Sequence, residues 1–501
     1  MIEFTAAQIA EITGGRLVAP PDIIPTSVVT DSREAVPGSL YVAKPGEHAD
    51  GHAYVGAAVA AGAVLTLCER EVTDDGGASH PCVVVPDAVL AMGTLAKAAV
   101  ERIRAERSAR GEELTVVGIT GSAGKTTTKD LVAGIFRSTP EGSATPASTV
   151  APQGSYNGEV GVPLTVFRAD TSTRYLVIEM GATGIGHIQY LADMVRPDIG
   201  VVLVVGSAHA GEFGGVENIA KAKGELVEAL SAEGTAVLNA DDPRVRAMEP
   251  RTKARLVFFT SHPEANADLA ERGTLVAAHG ASVDDGGSPV FDLTIGAQGP
   301  VHVASRLIGA HHTSNLLAAA SAASAAGVPL EVIGESLSAQ GPGSRWRMQR
   351  TERADGVTVI NDAYNANPES MRAALRTLAD LGRGRRTWAV LGAMLELGEE
   401  SIPAHTAVGT LVVRLNIDRL VVVGREARAL YVSAVNEGSW GSETTFVEDA
   451  DAAFELLERE LAPGDLVLVK SSNGVGLGAL GDRIALPAAD GATPHQGRSL
   501  T

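Results

Sequence analysis

Aromatic residues make up only 4% of this 501-residue chain, and cysteine is nearly absent, at two (Cys68 and Cys82). A disulfide between them is possible in principle, but two thiols in a long chain without export signals are expected to stay reduced. Cationic excess is missing as well: 41 lysines and arginines face 60 acidic residues, a formal charge of −19. That balance argues against a general nucleic-acid binder, whose phosphate contacts need surplus Lys and Arg. Any anionic ligand must then be met by local cations working against the overall field. No apolar run is long enough to span a bilayer; the longest lies over 199–205. The opening residues Met1, Ile2, Glu3 and Phe4 carry neither a basic n-region nor an apolar h-region, so export is not expected. What is there, 20% charged and 45% apolar residues, fits a soluble cytoplasmic protein. The length suggests about three domains, each able to bury its own core.

The patterning divides the chain into three blocks, without an internal repeat. In 1–105, short apolar runs such as 83–85 alternate with Ala-rich helical stretches over 54–63 and 89–103. The charged, poorly periodic segment 104–113 reads as a linker. Block 112–340 opens with a strand over 114–119, followed by a Gly-rich turn. Buried-strand candidates follow at 175–178, 199–205, 236–238 and 256–260, mostly separated by helical segments, which predicts a parallel sheet with crossovers. Within it, the Ser/Thr/Pro/Gly-rich stretch 138–154 is a loop long enough to suggest a functional one. Residues 273–308 alternate as a small antiparallel sheet would. In 341–486, strands at 357–360, 388–391, 420–423 and 466–469 alternate with amphipathic helices, as in a small doubly wound, Rossmann-like fold. The polar tail 487–501 is expected to be disordered. The fold class is therefore α/β, with three domains around a central sheet like that of P-loop ATPases.

Thr120, Gly121, Ser122, Ala123, Gly124, Lys125, Thr126 and Thr127 lie between an apolar strand and a predicted helix. Small residues let backbone N–H groups approach phosphates, and the helix N-terminus adds partial positive charge. Lys125 would reach the β/γ-phosphates and the Thr126 hydroxyl would ligate Mg²⁺. The strict GxxxxGK[ST] pattern is not met, because its first Gly falls on Ile119. An ordinary Gly-rich strand-to-helix turn is the bland alternative. ATP is favoured over GTP, since no Asn-Lys-x-Asp guanine-reading motif occurs.

This shortened loop resembles that of the Mur ligase superfamily, and later landmarks arrive in that family's order over about 1–480. The resemblance implies that Glu179, ending the run 175–179, is a magnesium ligand; read alone, it is as readily a helix-capping carboxylate. It makes His209 a second metal ligand, although a lone loop histidine is usually structural. It further implies a carbamylated lysine in 220–225, a group that can ligate Mg²⁺ where an ammonium cannot. Spacing to Asn239 selects Lys223 over Lys221; without the resemblance both read as solvated helix lysines. The expected metal set is thus Thr126, Glu179, His209 and carbamylated Lys223. Asn239 and Asn315 match the adenine side, with His312 standing where the family has Asn. Arg345 matches an arginine that reaches the nucleotide phosphates, or is a surface arginine, and Asp362 matches a ribose-binding aspartate.

Within the family, 361–371 (Asn-Asp-Ala-Tyr-Asn-Ala-Asn-Pro-Glu-Ser-Met) and 391–398, followed by His405, are similar to the branch that adds D-alanyl-D-alanine to UDP-N-acetylmuramoyl-tripeptide through an acyl phosphate. This implies UDP-sugar contacts at Ser32, Arg33, Asp50 and His52, and further substrate contacts at Ser155 and Asn157. The incoming dipeptide would meet Tyr364, Asn365, Asn367 and Met394, in the third domain. Asn367, just before Pro368, is also a candidate helix N-cap. Departures from the family pattern fall at Ser155, Gly158, Ala393 and Asn473. The tripeptide-forming ligase is disfavoured by the lack of an Asp-Asn-Pro-Arg motif, and folylpolyglutamate synthase by the Asn-Ala-Asn-Pro stretch. A non-ligase P-loop ATPase or nucleotide-switched binder is disfavoured by the absence of a guanine motif, a basic face or a repeat. The implied ligands are ATP, Mg²⁺ and the two substrates, acting on a monomer without nucleic-acid or membrane partners.

Overall fold

The computed structural model describes residues 1–46, 49–141, 145–146, 148–206, 213–438 and 443–486. The expectation for the tail 487–501 therefore lies outside the described residues. Three sheets carry the fold, and no described helix is long and apolar enough to cross a membrane.

The first sheet has five strands in the order Arg16–Val18, Cys82–Val84, Leu65–Cys68, Ser39–Ala43, Ser27–Val29. All pairs are parallel except the edge strand Arg16–Val18. Cys68 and Cys82 are buried free thiols. The helix Ala88–Ser108, capped by the Asp87 carboxylate, packs against this sheet. It runs well past 103, into the segment expected as linker. The charges that suggested a linker are anchors: Arg104 pairs with Asp198 at 2.9 Å, and the buried Arg107 donates to the carbonyls of Glu113 and Thr171.

The central sheet has nine strands in the order Gln298–Ala304, Pro289–Ile295, Thr274–Val283, Arg255–Thr260, Thr235–Asn239, Ile199–Val202, Thr115–Thr120, Tyr175–Glu179, Thr149–Val150. From Thr149–Val150 to Thr274–Val283 every pairing is parallel. These inner strands are covered on both faces, so they read as continuous apolar runs rather than alternating ones. The antiparallel strands expected over 273–308 extend this same sheet instead of forming their own. The strand expected over 199–205 stops at Val202, because its next residues are drawn toward the Gly-rich turn: Ser122 N–H donates to the Val204 carbonyl at 2.8 Å.

The third sheet has six strands in the order Gln349–Glu352, Thr358–Asn361, Leu466–Lys470, Thr387–Leu391, Arg419–Val423, Thr444–Val447. Only the edge strand Gln349–Glu352 is antiparallel. This strand and Thr444–Val447 add two to the four expected.

Candidate active site

The strand Thr115–Thr120 ends in a turn that leads into the helix Lys125–Ser138. Gly124 takes φ 82°, and a Cβ there would lie 2.3 Å from Asn315 Oδ1, so the turn needs glycine on both counts. The helix thus starts at Lys125 with its first N–H groups free to meet an anion. Lys125 folds over this turn, donating from Nζ to the Gly121 carbonyl at 2.8 Å. Burial lowers its pKa, Glu179 pulls it back up, and Arg347 pushes it down further.

Thr126 and Glu179 meet here. The Thr126 hydroxyl donates to Glu179 Oε2 at 3.0 Å, and Asn157 Nδ2 donates to Oε1 at 2.9 Å. Glu179 is 1% exposed, and among the described residues no cation pairs with it directly. A buried carboxylate served only by neutral donors is costly without a counter-charge. Its hard oxygens, with the adjacent hydroxyl, fit Mg²⁺. No described cluster of three His, Cys, Asp or Glu side chains is placed to hold a metal by itself. His209 lies outside the described residues.

Lys223 and Lys221 share the helix Val216–Glu228 but face opposite ways: Lys223 is 6% exposed and lines the cleft, whereas Lys221 is exposed. Burial, with a smaller push from Lys125, holds the Lys223 amine well below the usual lysine value. Glu225, two residues on, is buried and accepts from the backbone N–H of Gly186 (2.6 Å) and Gln189 (3.0 Å). It thereby caps the helix His187–Val195, whose first turn forms another wall of the cleft.

The cleft has a volume of about 680 Å³ and draws on all three sheets' surroundings. Leu90 comes from the first domain, Lys125, Asn157 and Lys223 from the central one, and Tyr364, Asn365, Glu396 and Asn473 from the third. The third domain is latched onto the Gly-rich turn. Ser155 N–H donates to the Tyr364 hydroxyl at 3.1 Å, and Ser155 and Thr126 share a 2.7 Å hydroxyl contact. Gly158 lines the cleft beside Asn157.

Other expected residues fall elsewhere. Arg345 points outward, its side chain 74% exposed and paired with Asp482 at 2.6 Å. The arginine that reaches the turn is Arg347, donating to Thr126 Oγ1 (3.1 Å) and Ser155 Oγ (3.2 Å) across the Tyr364 ring. Trp346 and Met348 sit at φ 57° and 50°, and these left-handed residues send the two arginines in different directions. Met394 is 2% exposed and belongs to the core of the third domain beside Ala393, its N–H donating to His405 Nε2 at 3.0 Å. The cleft instead receives Glu396, two residues on. Asn367 caps the helix Pro368–Leu381 through its Oδ1, while its Nδ2 reaches the Ser122 carbonyl at 3.4 Å. Asp362 forms a buried pair with Lys470 at 2.5 Å and accepts from Met348 N–H. The amide of Asn239 is engaged by Leu203 O and Asp241 N–H. Asn315 donates to His312 Nδ1 at 3.0 Å, which leaves the proton of this buried, neutral imidazole on Nε2, without a partner among the described residues. In the first domain, Asp31 holds Arg33, next to Ser32, through two guanidinium nitrogens. Asp50 ties Arg70 to His52, whose buried ring accepts Glu69 N–H. These four residues follow the C-terminal ends of parallel strands but do not line the cleft itself.

Residues 119–323 match the family model described as Mur ligase middle domain, 346–473 the Mur ligase, glutamate ligase domain, and 26–108 the Mur ligase family, catalytic domain. The UDP-N-acetylmuramoyl-tripeptide–D-alanyl-D-alanine ligase of Mycobacterium leprae is 44% identical, over 96% of this chain and 98% of that protein. Among solved structures, MurF from Acinetobacter baumannii superposes with a TM-score of 0.81 at 29% identity, covering 96% of this chain and 99% of that one. MurF ligase from Thermotoga maritima in complex with ADP gives a TM-score of 0.72 at 25% identity, over 92% of this chain and 97% of that one.

Proposed function

Because the chain belongs to the Mur ligase family, we propose a division of labour among its three domains for the reaction it performs. The enzyme is an ATP-dependent ligase that joins D-alanyl-D-alanine to UDP-N-acetylmuramoyl-tripeptide in peptidoglycan synthesis. In the proposed division the first domain holds the UDP-sugar, around Arg33 and Asp50. The central domain holds ATP on the turn at Thr120 to Thr127, and the third presents the dipeptide from Tyr364 and Asn365. The observation that carries this reading is the single cleft where Lys125, Lys223 and the third-domain residues face one another.

A carboxylate is a poor electrophile, so the γ-phosphoryl group is first transferred to it, giving an acyl phosphate. Lys125 spreads the negative charge that develops on the transferred group, and Arg347 supports it from the other side of Thr126. Mg²⁺ supplies further neutralisation when bound; Thr126, Glu179 and carbamylated Lys223 would hold it, with His209 the remaining member of the expected set. Asn157 and the Thr126 hydroxyl fix the Glu179 carboxylate in place. The dipeptide amine then attacks the activated carbon and phosphate leaves. The Ser155–Tyr364 contact keeps the third domain closed over the turn, which excludes water from the acyl phosphate.

The test is ADP release measured with each substrate omitted in turn. Turnover is expected only when both the UDP-sugar-peptide and D-alanyl-D-alanine are present, and Lys125→Ala should lower kcat by about 10²-fold or more. ATP hydrolysis indifferent to the dipeptide, or a Lys125→Ala variant with normal kcat, would contradict this reading.

A further inference from the structure

The third-domain wall of the cleft is formed by 364–365, 395–396 and 472–474, and among these residues Glu396 alone carries a charged side chain. Its backbone is held from both sides. Met394 N–H donates to His405 Nε2 and Leu395 N–H donates to Ser472 Oγ, each at 3.0 Å, while Leu397 is buried in the domain core. Between these anchors Glu396 adopts φ 64°, a left-handed conformation that costs an ordinary L residue and that glycine or asparagine would take more easily. Strain of this kind persists where the surroundings enforce it, and it clusters at functional sites. Here it places Glu396 on the cleft wall, just beyond the core-facing stretch at Met394.

The incoming dipeptide is a zwitterion whose α-amine is mainly an ammonium at neutral pH. A wall that receives it needs an anionic group to replace the lost water, because an ammonium desolvated without a partner binds poorly. The central side of the cleft offers Lys125, which suits phosphates and carboxylates and repels an ammonium, and one carboxylate, Glu159; on the wall that presents the dipeptide the carboxylate is Glu396. We propose that Glu396 receives the ammonium end of the incoming dipeptide. The inference rests on the reading that the third domain presents that substrate, and it names the group that selects for a free amine.

The experiment is steady-state kinetics on Glu396→Gln and Glu396→Gly, with Asn365→Ala as a reference and each substrate varied in turn. Loss of a charge-assisted contact should raise the KM for D-alanyl-D-alanine by roughly ten- to a hundredfold in both Glu396 variants. KM for ATP and for the UDP-sugar-peptide should stay near wild type. Glycine at this φ relieves the backbone, so Glu396→Gly should melt no lower than wild type, which separates binding from a structural role. N-acetyl-D-alanyl-D-alanine, which lacks the ammonium, should inhibit wild type and Glu396→Gln equally. The proposal is overturned if Asn365→Ala raises the dipeptide KM while both Glu396 variants keep it. If all three variants keep it, the assignment of the dipeptide to the third domain falls as well.

Discussion

Two arginines two residues apart make opposite contacts, and the difference is measurable. Arg347 sits over the Tyr364 ring and donates to Thr126, the residue next to Lys125, so its charge acts on whatever occupies the Gly-rich turn. Arg345 spends its charge on Asp482 at the surface. Exposed ion pairs contribute little to stability. Arg347→Ala should therefore lower kcat by roughly ten- to a hundredfold, whereas Arg345→Ala should stay within about twofold of wild type. Parallel kinetics on the two variants decide the matter, and the reverse order would show that the arginine at the turn has no part in phosphoryl transfer. The residue types of the site were legible in the sequence: the strand, the small residues and Gly-Lys-Thr identify the turn, and Lys125, Thr126 and Glu179 do assemble. Which arginine points inward was not, nor that Glu396 rather than Met394 enters the cleft. Both outcomes depend on left-handed residues (Trp346, Met348 and Glu396), and a single φ reversal breaks the alternation that a sequence reading assumes.

At the scale of elements, the helix Val216–Glu228 shows how a regular backbone sorts chemistry. Residues two apart on a helix differ by about 200° in direction, so Lys221 faces solvent while Lys223 faces the cleft. Burial lowers the Lys223 pKa well below 10.5. Its neutral amine, the form that reacts with carbon dioxide, therefore persists to lower pH than that of an exposed lysine, and it is lost only as pH falls through the lowered value. Three outcomes follow: Lys223→Ala should lose most activity, added formate or acetate should restore part of it at the carbamate's place, and Lys221→Ala should remain close to wild type. Activity assays in buffer stripped of carbon dioxide, then supplemented with bicarbonate, check the modification directly; equal losses at both lysines would remove its basis. The inner strands of the central and third sheets were legible because burial on both faces leaves unbroken apolar runs. Gln349–Glu352 was not, because an edge strand of polar residues has no such run, and the helix Ala88–Ser108 was cut short because its docking arginines looked like linker charge.

At the scale of the whole molecule, a long UDP-sugar-peptide, a small dipeptide and ATP must meet where three domains converge. The contacts of Tyr364 and Asn367 with Ser155 and Ser122 hold the third domain against the Gly-rich turn, yet among the described residues the first domain gives the cleft only Leu90. Its polar loops around Arg33 and Asp50 lie beyond the cleft, which is where the distal end of a long substrate such as a nucleotide sugar would be gripped. Each substrate's affinity should then depend on a different domain. Asn365→Ala removes a cleft-facing amide from the third domain and should raise the KM for D-alanyl-D-alanine. Arg33→Ala removes a cation that Asp31 holds in place and that a pyrophosphate would recruit, so it should raise the KM for the UDP-sugar-peptide. Both changes remove binding common to the ground and transition states, so each should raise one KM while leaving kcat and the other KM within about twofold. Initial rates over a grid of both substrates separate kcat from the two KM values. If Asn365→Ala raised only the KM for the UDP-sugar-peptide, the two substrates would have to exchange domains. If either variant lowered kcat alone, its residue would belong to the closing of the cleft rather than to one substrate.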